Sequence, residues 1–390
     1  MACEQVTLQD VCELIVDCPH TSAKDEGVGY PLIRTPNVGR GRLILTDVHR
    51  VSQDVYERRV SRAVPRQGDL ILAREAPAGN VAIVSPGIEV CLGQRTMLLR
   101  PDSSFVVPEY LNYYLNAPEQ RDRMLRLANG ATVSHINVAD IRNMPVQLPS
   151  RGEQSKVAEL LNVLDDKIDL NNRLNDYLEQ LVDGKFQELF GGLNFNATLS
   201  DVAEITMGQS PAGSSYNEEG AGIIFYQGRG EFGWRFPKRR LYTTEPKRLA
   251  CEGDVLMSVR APVGDLNVAF ENCCIGRGLA AIHSETPSFA LYLMRFLKPQ
   301  LEAYNGEGTV FGSINGKALK SLEVALPSHN EVMQFESFAA PIDALIRSNE
   351  NETRKLNNLR NYLLPKLMSG EIDVSKVDLT QLTNNHLADC

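Results

Sequence analysis

The chain repeats itself. Gly68-Asp-Leu-Ile-Leu-Ala-Arg-Glu-Ala-Pro-Ala-Gly-Asn80 aligns with Gly253-Asp-Val-Leu-Met-Ser-Val-Arg-Ala-Pro-Val-Gly-Asp265, and Cys91-Leu-Gly-Gln94 answers Cys274-Ile-Gly-Arg277. Further on, Ile136-Asn137 and Leu148-Pro149 recur as Ile314-Asn315 and Leu326-Pro327 with the same internal spacing. The openings agree as well, Leu8-Gln-Asp-Val-Cys-Glu-Leu14 paralleling Leu199-Ser-Asp-Val-Ala-Glu-Ile205. A period of about 180 residues is far longer than a solenoid unit, so two copies of one domain stand in tandem, a pseudo-dimer within one polypeptide. The 390 residues, 43% of them apolar, exceed what one hydrophobic core usually holds.

Each copy opens with short β-rich runs punctuated by Pro and Gly: Leu32–Thr35, Arg42–Thr46, Asp69–Ala73, Asn80–Val84 and Thr96–Arg100 in the first. Helices are predicted near Pro108–Leu115 and Pro118–Ala128. After its Leu-Pro dipeptide each copy closes with a long amphipathic segment. Val157, Leu161, Leu164 and Ile168 step by four, three and four, and Leu174, Leu178 and Leu181 resume the stripe. The second copy offers Phe335, Ile342, Leu345, Ile346, Leu356, Leu359 and Leu367, with Asn171 and Asn349 at equivalent points where a polar residue fixes register. Two such helices are expected to pack antiparallel in a coiled-coil-like manner, with a globule at either end of the rod. The expected class is α+β, two similar α/β globules separated by paired helices and related by a pseudo-two-fold. The boundaries predicted are a globule over 1–150, a helix over 151–192, a globule over 193–328, a helix over 329–372, and a polar, disordered tail over 373–390.

The net charge of −9 opposes bulk electrostatic capture of nucleic acid, but the charge is segregated. Residues 34–100 hold eleven basic against six acidic side chains and residues 225–298 eleven against seven, whereas residues 151–192 hold five against nine. No apolar stretch approaches a bilayer span and the N-terminus shows no export signal, so a cytoplasmic protein is expected. The eight cysteines contain no C-x-x-C pair and read mostly as reduced, buried thiols; Cys273 and Cys274 point to opposite faces of a strand, so no metal is expected. A P-loop, a G-x-S-x-G elbow, an H-x-x-x-H pair and the Asn-Pro-Pro-aromatic motif of adenine methyltransferases are all missing. Asp69 and Asp254, at the same point of the repeat, read as turn caps rather than a catalytic pair. No catalytic residue is predicted.

Asp17-Cys-Pro-His-Thr21, Pro31-Leu-Ile-Arg-Thr-Pro36 and the Gly-Asp block followed by Ala-Pro-x-Gly resemble the first target-recognition domain of the specificity subunits of type I restriction-modification systems. Met207-Gly-Gln-Ser-Pro211, Ser214-Ser-Tyr-Asn-Glu-Glu-Gly220 and Gly253–Pro262 resemble that family's other recognition domain, and Leu363-Leu-Pro-Lys-Leu-Met-Ser-Gly-Glu-Ile372 completes the order. The first helix departs from the pattern, ending in Lys185-Phe-Gln-Glu-Leu-Phe190. The resemblance implies a non-catalytic subunit that reads a split double-stranded DNA target, one half-site per domain, with the paired helices setting the spacer. It implies docking of two methyltransferase subunits and, through them, nuclease-translocase subunits. S-adenosylmethionine, ATP and Mg²⁺ would belong to those partners, none being bound by this chain.

Base reading requires Arg, Lys, Asn or Gln on loops or helix ends, while phosphate contacts require only charge and orientation. The first copy offers His20, Thr21, Arg34, Asn37, Arg40, Arg42, Arg74 and Arg95. The second offers Gln209, Ser210, Tyr226, Gln227, Arg229, Arg235, Lys238, Arg239, Arg240, Arg260 and Arg277. For each the plain alternative is a solvated or packing residue, as it is for Trp234. Two other classes of function compete with an adaptor that binds DNA: a DNA methyltransferase or nuclease with a fused recognition region, and a duplicated scaffold for proteins alone.

Overall fold

A computed structural model describes residues 4–75, 78–128, 135–306 and 312–374. The chain divides into two compact units, residues 1–170 with 353–390, and residues 171–352. The division falls inside the two long helices rather than at their ends, so each helix belongs partly to each unit.

In the first unit a five-stranded sheet runs in the spatial order Cys12–Asp17, Thr96–Pro101, Leu70–Ala73, Val81–Ile83, Gly41–Arg42. A three-stranded sheet of Arg50–Val51, Tyr30–Ile33 and Cys91–Leu92 and a pair formed by Glu4–Thr7 and Pro145–Leu148 complete its strands. The second unit has a four-stranded sheet, Glu204–Met207, Leu279–His283, Val255–Ser258, Leu266–Val268. Beside it are a five-stranded sheet through Ile223–Tyr226 and Cys273–Ile275 and the pair Ala197–Thr198 with Glu323–Val324. The sequence repeat is thus a structural repeat. Leu70 faces Leu99 where Val255 faces Ile282. Ahead of each central strand stands a glycine at φ +86° (Gly68) or +89° (Gly253), a left-handed turn that an L side chain resists.

One helix covers each central sheet, Pro108–Asn116 in the first unit and Pro287–Phe296 in the second, both with proline in the first turn where the missing N–H costs nothing. Their inner faces bury Tyr110, Leu111, Tyr113 and Tyr114, and Phe289, Tyr292, Leu293 and Met294. Among the described residues every apolar cluster draws on one unit alone. The largest of the first unit gathers Leu8, Leu70, Leu99 and Tyr110 with Val157, Leu161 and Leu367; that of the second gathers Phe186, Phe190, Phe289 and Phe335 around Val255 and Ile282.

The long helices run Arg151–Phe190 and His329–Met368, 40 residues each. Both start with the same capping box. Ser150 and Glu153, and likewise Ser328 and Glu331, exchange side-chain and backbone hydrogen bonds, which satisfies N–H groups left open in the first turn. The bond from Ser328 holds the Glu331 carboxyl below its ordinary range.

Val157, Leu161, Leu164, Ile168, Phe335, Ile346 and Leu367 are buried as their spacing predicts, and Leu178, Ile342 and Leu356 are half-buried. Leu174, Leu181, Leu345 and Leu359 are a correction: all four are exposed. The inward row passes one position later, through Asn171, Asn175, Val182 and Phe186 in the first helix, and through Arg360 rather than Leu359 in the second. Polar residues at inward positions break the apolar period and make the neighbouring leucines look like the stripe.

Within the first unit Arg360 bonds Asp165 at 2.7 Å; within the second the Asn349 amide donates to Asn175 at 2.8 Å and Asn171 donates to Glu352 at 2.7 Å. In the second unit the pairing descends along one helix as it ascends along the other, so there the two segments are antiparallel. Removing Asn349 leaves the buried Asn175 Oδ1 without its donor, and Asn349→Ala is expected to cost about 1–3 kcal/mol in denaturant unfolding. The double change to leucine should recover most of that loss.

The predicted strand Arg42–Thr46 is reduced to Gly41–Arg42. Val374, placed in the polar tail by sequence, is buried in the first unit's core, and residues 375–390 lie outside the described residues. Among the described residues no helix is long and apolar enough to cross a membrane.

Candidate nucleic-acid interface

Three loops meet at the same place in each unit. In the second unit they are residues 207–211, 227–230 and 276–278, and they lie so close that side chains are excluded. A Cβ on Gly208 would stand 2.1 Å from the Gly276 carbonyl oxygen, and one on Gly276 would stand 2.8 Å from that of Gln227. Hydrogen bonds from backbone N–H groups tie the loops together: Gln209 N–H to the Ile275 carbonyl (3.0 Å), Gly276 N–H to that of Tyr226 (2.8 Å), and Arg277 N–H to the Ser210 side-chain Oγ (3.3 Å). The glycines bring the backbones together, and Gln209, Gln227, Arg229 and Arg277 stand exposed around them.

The first unit builds the same junction from residues 17–21, 34–37 and 93–95. A Cβ on Gly93 would lie 2.8 Å from the Ile33 carbonyl oxygen. Cys18 N–H donates to the Thr96 carbonyl (3.2 Å), and the Gln94 amide to that of His20 (3.0 Å). Arg95 takes a left-handed φ of +66°, uncommon outside glycine, and pairs with Glu75 at 2.8 Å. His20 and Thr21 are exposed beside it, His20 within 3.2 Å of Asp17, and Arg34 packs half-buried over Gly93.

Five predicted contacts are placed otherwise by the structure. Asn37 is buried, its oxygen accepting from Arg34 N–H and its amide donating to the Ile44 carbonyl, so both halves of its side chain are used. Arg74 donates to both carboxylate oxygens of Asp17 and to the Ile136 carbonyl. Arg42 grips Asp166 and Asp169 of the first long helix. Tyr226 is a buried core residue. Arg235, 5% exposed, lies between Glu179 and Asp343 with the Tyr292 ring against it. The three arginines sit in segments rich in basic residues, and a linear sequence does not show that their charge is already neutralised.

The remaining basic positions of the second unit are exposed: Lys238, Arg260 and Arg277, with Arg229 paired to Asp265, Arg239 to Glu271 and Arg240 to Glu231. In the first unit Arg40 is exposed as well. Trp234 is partly exposed, with the Arg235 guanidinium 5.6 Å from its ring centre. Asp69 and Asp254 cap turns as predicted, accepting from Arg66 N–H (2.9 Å) and Cys251 N–H (2.8 Å).

Two features escaped sequence reading. Gln94 occupies in the first unit the place of Arg277 in the second, a match visible in the Cys-x-Gly-x repeat. A groove of about 820 Å³ in the second unit is lined by Arg248, Lys317 and Lys320 together with Thr198, Ser200 and Thr206. Lys317 and Lys320 share one face of the helix Gly316–Lys320, and the fold brings Arg248 to them from a distant segment.

The profile of the type I restriction modification DNA specificity domain matches residues 2–180 and again residues 196–361. The chain belongs to the type I restriction modification DNA specificity family. It is 31% identical over 94% of its length to the MjaX type I restriction enzyme specificity subunit of Methanocaldococcus jannaschii, covering 93% of that protein. To the MjaIX specificity subunit of the same organism it is 22% identical, over 85% of this chain and 84% of the other. The solved S subunit of a type I restriction-modification system from M. genitalium superposes over 94% of this chain and 96% of its own with a TM-score of 0.62; at 16% identity that likeness concerns the fold. The two matches to the family coincide with the two copies of the repeat, so the three-loop junction occurs once per specificity domain.

Proposed function

We propose that this chain is the non-catalytic specificity subunit of a type I restriction-modification complex and reads a bipartite double-stranded DNA target, each three-loop junction addressing one half-site. The observation that carries this reading is the repetition of one junction in two units with different side chains around it, all exposed except the half-buried Gln94. Gln209, Gln227, Arg229 and Arg277 surround one junction; His20, Thr21, Gln94 and Arg95 surround the other. Arg and Gln read guanine and adenine edges in the major groove. Lys238, Arg240, Arg248, Arg260, Lys317 and Lys320 supply phosphate contacts, and the ion pairs of Arg229 and Arg239 are exposed enough for a phosphate to replace the carboxylate.

Two methyltransferase subunits would seat on the long helices, where Leu174, Tyr177 and Leu181 form an exposed apolar row at helical spacing, and nuclease-translocase subunits would join through them. S-adenosylmethionine, ATP and Mg²⁺ then act in those partners.

Methylome sequencing of a host that expresses the chain with its methyltransferase subunit tests the reading. The expected product is a split motif. Arg277→Ala should relax one half of it, at a cost of about 1–3 kcal/mol in discrimination, and Gln94→Ala should relax only the other. A continuous motif, or one variant altering both halves, would refute the assignment. Methyl transfer by the chain alone would point instead to a fused enzyme.

A further inference from the structure

The repeat differs at one buried carboxylate. In the first unit Asp69 is closed by a permanent cation, Arg100, whose Nε and Nη2 donate at 2.9 and 2.8 Å. The strand registers that pair Leu70 with Leu99 and Val255 with Ile282 put His283 at the place of Arg100, and the turn hydrogen bonds put Cys251 at the place of Arg66. The second unit therefore keeps the buried acid, Asp254, and surrounds it with a thiol and an imidazole.

His283 Nδ1 lies 2.6 Å from Asp254 Oδ1, and one ligating atom from each of Cys251, Asp254 and His283 falls within 4.8 Å of the others. Cys251 is a free thiol, and it and His283 are exposed while Asp254 is buried, so the cluster has a fixed base and an open outer side. Its surroundings are acidic. Glu204 stands opposite His283 across the strand pair.

We propose that Cys251, Asp254 and His283 bind a divalent cation of the zinc type, which does in the second unit what the Arg100 guanidinium does in the first. Thiolate, carboxylate and imidazole are the zinc donor set, and three protein ligands leave a fourth position for water or a partner's group. A tetrahedral ion spaces its ligand atoms about 3.5 Å apart. The imidazole and carboxylate must therefore separate by less than about 1 Å and the thiol must move in, adjustments that exposed side chains on a strand end and a turn can make. Ligation through Nδ1 leaves a neutral imidazole with its one proton on Nε2; binding therefore releases the thiol proton, and one more from any ring protonated at both nitrogens beforehand, and consumes no other reactant.

The test is titration of the metal-stripped full chain with Zn²⁺ against a chromogenic chelator, and with Co²⁺ to detect the thiolate-to-cobalt charge-transfer band. One equivalent with that band is expected. Cys251→Ser should abolish the band, and His283→Arg, which installs the first unit's own ion pair and so preserves the fold, should weaken binding by more than about 100-fold, beyond what losing an outer-shell partner costs. Absence of stoichiometric binding, or binding unchanged in both variants, would overturn the proposal and leave His283 as the second unit's counter-ion to Asp254.

Discussion

Arg235→Ala is expected to destabilise residues 171–352 by about 3–5 kcal/mol, the cost of leaving buried charges without their partner. The guanidinium lies 3.2 Å from Glu179 of the first long helix and 3.4 Å from Asp343 of the second, and it donates to the Tyr292 hydroxyl at 3.1 Å. That hydroxyl in turn donates to Asp343 at 3.0 Å. Burial pushes the Glu179 carboxyl up, and Arg295 and Arg235 are the charges that oppose the rise. Without Arg235, Glu179 keeps only Arg295 at 2.9 Å, and Asp343 keeps only a neutral phenol. At roughly 2–4 °C per kcal/mol for a body of this size, the loss corresponds to a fall in Tm of about 10 °C. Hydrogen exchange should quicken across the second unit and remain unchanged in residues 4–128. Arg235→Lys keeps the charge but not the planar fork, and it should fall between. Arg277→Ala serves as the control, since its side chain is exposed and its removal should leave stability within about 0.5 kcal/mol. Equal stability of Arg235→Ala and wild type would return Arg235 to the list of candidate DNA contacts.

The repeat made the architecture legible, because strand registers, turn glycines and capping aspartates all recur where the sequence recurs. It also held information that spacing alone did not yield. Aligning Gln94 with Arg277, or His283 with Arg100, identifies a junction residue and an altered charge partner without any coordinates. Burial and pairing were less legible. Arg42, Arg74 and Arg235 look like Arg229 and Arg260 in a linear sequence, and only the carboxylates that the fold brings to them, Asp17, Asp166, Asp169, Glu179 and Asp343, separate the structural cations from the available ones. The helix rows failed at Leu174, Leu181, Leu345 and Leu359 for a related reason. Inward positions held by Asn175 and Arg360 are satisfied by partners from the other helix, and no local pattern announces that partner.

Exchange of the first specificity domain for that of a relative is expected to change one half of the methylated motif entirely and leave the other half intact. The cores make this possible. Leu8, Leu70, Leu99 and Tyr110 share no apolar cluster with Val255, Ile282 or Phe335, so a new first domain leaves the second domain's packing untouched. Where the cut falls decides whether the chimaera folds. The first domain rests on Val157, Ala158, Leu160 and Leu161 of one long helix and on Leu363, Leu364 and Leu367 of the other. The Tyr113 hydroxyl also donates to the buried Asp165 at 2.8 Å, with Asn162 2.9 Å away, and Arg360 closes Asp165 at 2.7 Å. A transplant of residues 1–150 alone sets a foreign surface against all of these groups, and each mismatched large side chain costs about 1–3 kcal/mol through cavities or overpacking. A transplant of residues 1–170 with 353–374 carries the seam with it and should melt within a few degrees of the parent. Both chimaeras, once folded, should direct methylation to the donor's half-site beside the unchanged second one. A stable chimaera of the larger kind that altered both halves of the motif, or neither, would show that recognition is not divided between the two units.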